Sequence, residues 1–334
     1  SNPGSLAMYK YVPSNMPSNA PLVVAMHGCT QTAADYANSG WKDMADAHKF
    51  YVVFPEQNSS NNQNKCFNWF EPGDIARDYG ESKSVKSMID NMKSNYSIDS
   101  SKVFVNGFSA GGYMAPVIYA VYPDVINGMS VNSGGPYKCA TSMTAAFSCM
   151  SPGVDKSASA WGDLVRGAST HESKINGDKV IIFQGSSDYT VKEMNATELA
   201  EQWQNLGASV QKNILSIGHN VPIDTASGCG SGYSYTDNTT GRCSAREAAQ
   251  YWGIADGTPP GDGDGDGDGD GDGDGDGDGD GDGDGDTSCN HCTTSSCCQD
   301  FGCTGRIYTW PAGYVCYKQD ASTGWQIQTC SCWQ

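Results

Sequence analysis

A run of thirteen Gly-Asp pairs, residues 261–286, divides this chain of 334 residues into two parts that must fold separately. Glycine and mutually repelling carboxylates cannot bury apolar surface, so the run is predicted to be an extended, disordered linker. Alternating aspartates also occur in calcium-binding loops, but the closing glutamate and flanking helices of such a loop are missing. We therefore predict a domain over 1–255, a linker over 256–286 and a small module over 287–334.

The same run accounts for most of the acidic charge. It contributes thirteen negative charges to the formal net charge of −18, which leaves −5 for the rest of the chain. Without a cluster of Lys and Arg to neutralise phosphates, we expect no nucleic acid partner. No apolar segment approaches the about 20 residues that a membrane helix needs, so we expect no membrane partner either.

Fourteen cysteines, six before the linker and eight after it, indicate an oxidising compartment. The eight that fall within 287–334 have the density of a disulfide-stabilised scaffold. The first residues show neither the basic nor the apolar segment of a signal peptide. We therefore expect a secreted, monomeric protein whose signal peptide is not within this sequence.

Residues 1–255 alternate between short apolar runs and stretches with helical spacing. The apolar runs predict buried strands at 21–28, 50–56, 102–107, 126–134 and 179–188. The helical spacing predicts helices at 77–95, 110–122 and 192–206. This alternation is typical of an α/β fold with a mostly parallel, doubly wound sheet, in which sites lie at the carboxyl ends of strands.

The pentapeptide GFSAG (107–111) lies between the predicted strand VFVN and a predicted helix. It fits the G-x-S-x-G pattern of a nucleophile elbow, a sharp strand-to-helix turn that exposes a serine. The glycines let strand and helix approach closely, and the serine backbone is strained. Ser109 is therefore the candidate nucleophile, with an ordinary turn serine as the alternative.

A serine hydroxyl needs a base, and in folds of this type an acid and then a histidine follow the serine. His219 follows the apolar NILSI, where a loop at a strand end is expected. His171 lies in a polar stretch, and His291 lies among the cysteines beyond the linker. We therefore predict His219 as the base.

Asp188 is the candidate acid because it ends a predicted strand, where a carboxylate can hold the histidine in the required tautomer. Asp224 lies only five residues past His219, and Asp178 precedes the strand, at the opposite end of the sheet. We predict that Asp188, rather than either of these, orients His219.

The segment MHGCTQ (26–31) follows the first long predicted strand. Lipase-like enzymes place there a loop whose backbone N–H helps to form the oxyanion hole, together with the N–H after the nucleophile. The N–H groups of Cys29, or its neighbour Thr30, and of Ala110 are the candidate donors. We assign His27 a structural role in holding this loop.

Five segments carry a further resemblance: APLVVAMHGCTQTAADY, CFNWFEPGDIARDYGESKSVKSMIDNM, SIDSSKVFVNGFSAGGYM, FQGSSDYTV and GHNVPIDT…SAREAAQYWGI. Together they resemble the secreted polyhydroxybutyrate-depolymerase-like esterases, a group that overlaps the acetylxylan and feruloyl esterases of carbohydrate esterase family 1. The resemblance covers about residues 1–255 and implies an α/β-hydrolase fold without a cofactor. It also implies the roles given to Ser109, Asp188 and His219, while members cleave acetyl, feruloyl or hydroxyalkanoate esters.

The six cysteines before the linker allow fifteen connectivities. We predict the pairs Cys29–Cys66, Cys139–Cys149 and Cys229–Cys243. Beyond the linker, the motif CNHC hints at zinc. However, no second ligand pair has finger spacing and all eight cysteines can pair, so we predict no metal.

The module over 287–334 is rich in aromatic residues, namely Tyr308, Trp310, Tyr314, Tyr317, Trp325 and Trp333. So small a scaffold cannot bury them all, and exposed rings stack on sugars or other flat apolar faces. We predict that Trp310 and Trp325 bind carbohydrate, with protein contact as the alternative.

These observations predict a secreted serine esterase that acts on plant cell-wall polysaccharide, such as acetylated or feruloylated xylan. The aromatic module favours this substrate because it suggests an insoluble polymer. One alternative is an extracellular depolymerase of polyhydroxyalkanoate polyester. The other is a polymer-binding protein with an inactive hydrolase domain.

Deletion of residues 257–334 should leave the hydrolysis of p-nitrophenyl acetate almost unchanged. Hydrolysis of an insoluble polymer should fall, because tethering raises the effective concentration of enzyme at the surface. Initial rates on both substrates test this. A truncated chain that loses both activities would contradict the predicted domain boundary.

Overall fold

The computed structural model describes residues 1–257 and the backbone of three strands farther along the chain. A seven-stranded sheet forms the centre of the first part. Its strands are β1 (Ala7–Tyr11), β2 (Ala20–Met26), β3 (Tyr51–Glu56), β4 (Ile98–Phe108), β5 (Gly128–Asn132), β6 (Lys179–Gly185) and β7 (Ser209–Leu215). The spatial order is β1-β3-β2-β4-β5-β6-β7, and every neighbouring pair except β1–β3 is parallel.

Helices cover both faces of this sheet. They are α1 (Ala33–Tyr36), α2 (Trp41–His48), α3 (Gly80–Asn95), α4 (Ala110–Val121), α5 (Met143–Met150), α6 (Ala158–Arg166), α7 (Met194–Gln204) and α8 (Ser244–Tyr251). Residues of α1, α2 and α8, such as Trp41 and Ala248, share one apolar core. Residues of α3, α4, α6 and α7, such as Ile118 and Trp203, share a second core. The predicted doubly wound α/β fold is therefore confirmed.

The five predicted strands correspond to β2 through β6, and the three predicted helices to α3, α4 and α7. The apolar runs do not predict β1, because three of its five side chains are exposed at the sheet edge. They indicate β7 only through the apolar NILSI at its end, because most side chains of that edge strand are exposed or half-buried. The predicted strand at 102–107 also starts later than β4, which begins at Ile98. The polar residues 99–102 already belong to β4. They lie where the register between β4 and β2 shifts, so the apolar pattern does not reveal them.

All three predicted disulfides, Cys29–Cys66, Cys139–Cys149 and Cys229–Cys243, are formed. They join segments that follow the carboxyl ends of strands. In the same region, a short parallel pair of strands forms between β8 (Val221–Pro222) and β9 (Thr236–Asp237). The cross-links therefore brace the irregular chain at one edge of the sheet. Among the helices in the described part of the chain, none has both the length and the apolar character that crossing a membrane requires.

The chain divides into two units. The second contains the described strands β10 (Ile307–Trp310), β11 (Gly313–Asp320) and β12 (Gly324–Ile327), which form an antiparallel sheet in that order. The Gly-Asp pairs at 261–286 and seven of the eight later cysteines lie outside the residues whose structure is described, and the eighth, Cys316, is described only in its backbone, within β11. The side chains of Trp310 and Trp325 lie outside the description as well.

The chain turns sharply at Ser109, between β4 and α4. Ser109 has a φ of 55° and a ψ of −117°, which a residue other than glycine rarely adopts. Glycines make room for this turn. A Cβ on Gly107 would collide with the carbonyl of Gly111, and one on Gly111 would collide with the carbonyl of Met26. The backbones of β2, β4 and α4 therefore meet directly beside Ser109.

Replacement of Gly111 by alanine should destabilise the fold by about 1–3 kcal/mol, because the added methyl forces the backbone of α4 away from β2. Gly73→Ala is the matched control, since a methyl there would meet no atom within 4 Å. Urea unfolding of both variants measures the difference. Equal midpoints would show that this close approach does not depend on glycine.

Candidate active site

Three side chains predicted from the sequence lie together at the carboxyl edge of the sheet. The Oγ of Ser109 lies 3.0 Å from Nε2 of His219. The Nδ1 of His219 lies 2.7 Å from Oδ2 of Asp188. Ser109 comes from the turn after β4, Asp188 from the loop after β6, and His219 from the loop after β7. Residues far apart in sequence thus form one hydrogen-bonded row.

Asp188 is buried and held by several donors. Its Oδ1 accepts the N–H groups of Thr190 and Val191, each at 2.8 Å, and its Oδ2 accepts Nε2 of Gln184 at 3.3 Å. Burial raises the pKa of this carboxyl, but the hydrogen bond and charge of His219 and the two backbone N–H groups outweigh burial and lower the pKa. An ionised carboxylate can only accept, so it places the proton of His219 on Nδ1. The lone pair on Nε2 then faces Ser109.

The rival residues lie elsewhere. His171 is exposed and precedes a short 3₁₀ turn. Asp178 accepts a hydrogen bond of 2.6 Å from the hydroxyl of Tyr119 at the start of β6, the opposite end of the sheet. Asp224 precedes another 3₁₀ turn. The structure therefore brings together the three residues selected from the sequence and none of these alternatives.

The loop after β2 narrows the choice of oxyanion donor. The N–H of Thr30 donates to the carbonyl of Asn64 at 2.7 Å, so it is already used. Within residues 1–257, the N–H groups of Cys29 and Ala110 donate to no described protein acceptor. Ala110 is the first residue of α4, where backbone N–H groups lack partners inside the helix. Cys29 and Ala110 therefore remain the candidate donors.

His27 fixes this loop through two hydrogen bonds of its imidazole ring. Its Nδ1 donates to the carbonyl of Gly28 at 2.6 Å, and its Nε2 accepts the N–H of Gln57 at 3.1 Å. Burial lowers the pKa of the His27 imidazole, which favours the neutral form that this pair of bonds requires. Because the carbonyl of Gly28 and the N–H of Cys29 belong to one planar peptide group, fixing the first also orients the second.

A cavity of about 760 Å³ opens above Ser109 and His219. Its apolar lining comes from Trp69, Phe70, Met143, Ala146, Phe147 and Met150. Polar side chains, among them Gln31 and Asn220, line it as well. Among the described residues, no group of three or more His, Cys, Asp or Glu side chains is placed to hold a metal ion.

Helix α5, which supplies four of the apolar lining residues, is not among the helices predicted from the sequence. The signal was present, since Ser142 caps the helix by accepting the N–H of Ala145. An apolar stretch follows it directly. Nothing in that stretch indicates that Met143 and Phe147, which are 49% and 63% exposed, belong to the wall of a cavity.

A mostly parallel sheet with a serine on a sharp strand-to-helix turn defines an α/β-hydrolase fold. The solved acetyl xylan esterase from Aspergillus awamori has a similar fold. It aligns with a TM-score of 0.62 at 24% identity, over 76% of this chain and 96% of that one.

Residues 5–214 match the family described as Esterase PHB depolymerase, and the chain belongs to that family. It is 50% identical over 285 residues to poly(3-hydroxyalkanoate) depolymerase C of Paucimonas lemoignei, covering 76% of this chain and 68% of that protein. It is 30% identical over 224 residues to feruloyl esterase B of Thermothelomyces thermophilus, covering 65% and 76%. These relatives confirm the resemblance found in the sequence and indicate a carboxylic ester hydrolase.

Asp188→Asn should remove a pH-dependent contribution to stability. A carboxylate with a lowered pKa stabilises the fold above the pKa of the unfolded chain, about 3.9, and this contribution is lost as the pH falls through the lower pKa of the folded state. The difference in free energy of unfolding between parent and variant should shrink as the pH falls below about 4. Urea unfolding across this range measures it. A difference that stays constant to pH 2 would contradict the lowered pKa.

Proposed function

We propose that this protein is a serine esterase that works through an acyl-enzyme. The hydrogen-bonded row of Ser109, His219 and Asp188 carries the proposal. The Oγ of Ser109 attacks the ester carbonyl while Nε2 of His219 takes its proton. Asp188 holds the imidazole and stabilises its cation. The N–H groups of Cys29 and Ala110 stabilise the negative oxygen of the tetrahedral intermediate.

The same residues complete the cycle. The proton on His219 passes to the departing alcohol as the acyl-enzyme forms. Water then attacks the acyl-enzyme and gives its proton to His219. Collapse of the second intermediate releases the acid, and the proton returns to the Oγ of Ser109. This arrangement argues against the alternative of a binding protein with an inactive hydrolase domain.

We propose poly(3-hydroxyalkanoate) as the substrate. The 50% identity to poly(3-hydroxyalkanoate) depolymerase C extends over three quarters of this chain. The apolar wall contributed by α5 also suits the aliphatic repeat units of a polyester. The sequence favours polysaccharide only through the aromatic module, whose side chains lie outside the described residues. The described part of the chain instead favours the polyester.

Esters on plant cell-wall polysaccharide are the second candidate. The 30% identity to feruloyl esterase B supports it, and the polar side chains Asn62, Asn64 and Asn220 also line the cavity. Acid release from poly(3-hydroxybutyrate), acetylxylan and feruloylated arabinoxylan, measured side by side, separates the two candidates. Release from either polysaccharide but not from the polyester would reverse our preference.

We further propose that the protein is secreted, acts as a monomer, and meets its substrate as an insoluble polymer. Three disulfides in the described domain support an oxidising compartment. Thiol titration of the purified protein under denaturing conditions, with and without reduction, tests whether these three disulfides are formed. Six free thiols from these positions before reduction would contradict it.

Ser109→Ala should lower kcat on p-nitrophenyl butyrate by about 10⁶, because the attacking hydroxyl is lost with little change in volume. Asp188→Asn should cost about 10⁴, since the base remains but is misoriented. Initial rates and circular dichroism of each variant measure activity and folding. Ser109→Ala activity within tenfold of the parent would contradict the proposed nucleophile.

His219→Ala should be about as damaging as Ser109→Ala, whereas His171→Ala should be nearly silent. The two variants make the same chemical change, but only His219 lies within hydrogen-bonding distance of Ser109. The same assay compares them. A dead His171→Ala variant would overturn the assignment of the base.

A further inference from the structure

Gln31 lies two residues past Cys29 on the loop after β2. Its side chain is only 4% exposed, yet it lines the cavity above Ser109. Its Oε1 accepts the N–H of Gly28 at 3.2 Å and the hydroxyl of Tyr233 at 2.9 Å. Neither the proposed proton transfers nor the proposed oxyanion donors use this residue.

These two bonds settle which way the amide of Gln31 points. A backbone N–H can only donate, so the atom that meets Gly28 has to be the oxygen. The amide oxygen then accepts from two donors, and the NH₂ group of the amide points away from both of them. Within the described residues, no acceptor binds Nε2 of Gln31. Its two N–H donors are left for the cavity.

The NH₂ group lies close to the reacting centre. A methyl placed on Gly28 would lie 3.1 Å from Nε2 of Gln31 and 3.2 Å from Cβ of Ser109, so only this glycine separates them. Nε2 of Gln31 and Cβ of Ser109 therefore lie at most about 6 Å apart, a gap that an acyl chain with an oxygen on C3 is long enough to bridge through a hydrogen bond. The apolar wall made by residues such as Met143 and Phe147 offers no such donor.

We propose that Gln31 is a specificity residue that donates a hydrogen bond to an oxygen on C3 of the acyl chain. This inference rests on the proposed function, because every repeat unit of a poly(3-hydroxyalkanoate) carries an oxygen at C3. An acyl chain without that oxygen leaves a buried donor unpaired, and sites built to bind a substrate oxygen discriminate against analogues that lack it.

The test compares kcat/KM for methyl 3-hydroxybutyrate and methyl butyrate. The rate of each reaction is measured by titrating the acid that it releases. The parent chain should prefer the hydroxylated ester. In Gln31→Leu this preference should fall about tenfold, the value of one neutral hydrogen bond. Gln31→Glu keeps an oxygen for Gly28 and Tyr233 but lacks the NH₂ group. Because its carboxylate can accept the hydroxyl of methyl 3-hydroxybutyrate, this variant is assayed with methyl 3-methoxybutyrate, whose ether oxygen can only accept, and the preference over methyl butyrate should fall there too. The added charge of this variant lowers the rates on both esters alike and cancels in the ratio.

Tyr233→Phe is the matched control, because it removes one partner of Oε1 and leaves Nε2 in place. Its preference should stay within twofold of that of the parent. Circular dichroism shows whether each variant folds, and Gln31→Glu keeps the test decisive if Gln31→Leu does not fold. A structural role alone would change both esters equally in Gln31→Leu, with the preference intact, and would overturn the proposal.

Other outcomes separate this inference from the proposed function. A parent that hydrolyses both esters without preference overturns the role of Gln31 and leaves the esterase intact. A parent that shows the preference but releases no acid from poly(3-hydroxybutyrate) refutes the polymer substrate and not the role of Gln31. A parent that hydrolyses neither ester refutes both.

Discussion

The direct contact between backbones at Gly107, Gly111 and Met26 is the constraint on which the site depends. Without side chains between them, β2, β4 and α4 approach closely enough for the turn at Ser109 to close. That approach also brings the loop that starts at His27 next to the first residue of α4. One packing feature therefore sets the position of both the proposed nucleophile and the proposed oxyanion donors.

Around this contact, the loop after β2 is held by polar groups rather than by apolar packing alone. Both backbone groups of Gly28 are occupied, the N–H by Gln31 and the carbonyl by His27. The next residue, Cys29, is cross-linked to Cys66. A loop fixed in this way does not have to reorganise when negative charge develops beside it, and such preorganisation is the main source of electrostatic stabilisation in enzymes.

The sequence predicts the inner strands, the helices that flank Ser109 and the order Ser109, Asp188, His219, because each depends on local patterns. Edge strand β1 escapes prediction since its exposed side chains show no apolar run. The choice between Cys29 and Thr30 depends on the carbonyl of Asn64, which only the folded chain brings near. The side chain of Gln31 likewise accepts the hydroxyl of Tyr233, 202 residues away. Contacts between distant segments leave no periodicity that a sequence pattern reveals.

The cross-link at Cys29 has a consequence for when the protein becomes competent. Cys29 offers the candidate donor through its backbone and the bond to Cys66 through its side chain. A folded chain that still carries reduced thiols would have its proposed nucleophile and base in place but a less constrained loop beside them. The cross-link therefore makes the restraint on the loop that carries this candidate donor depend on the oxidised state of two cysteines.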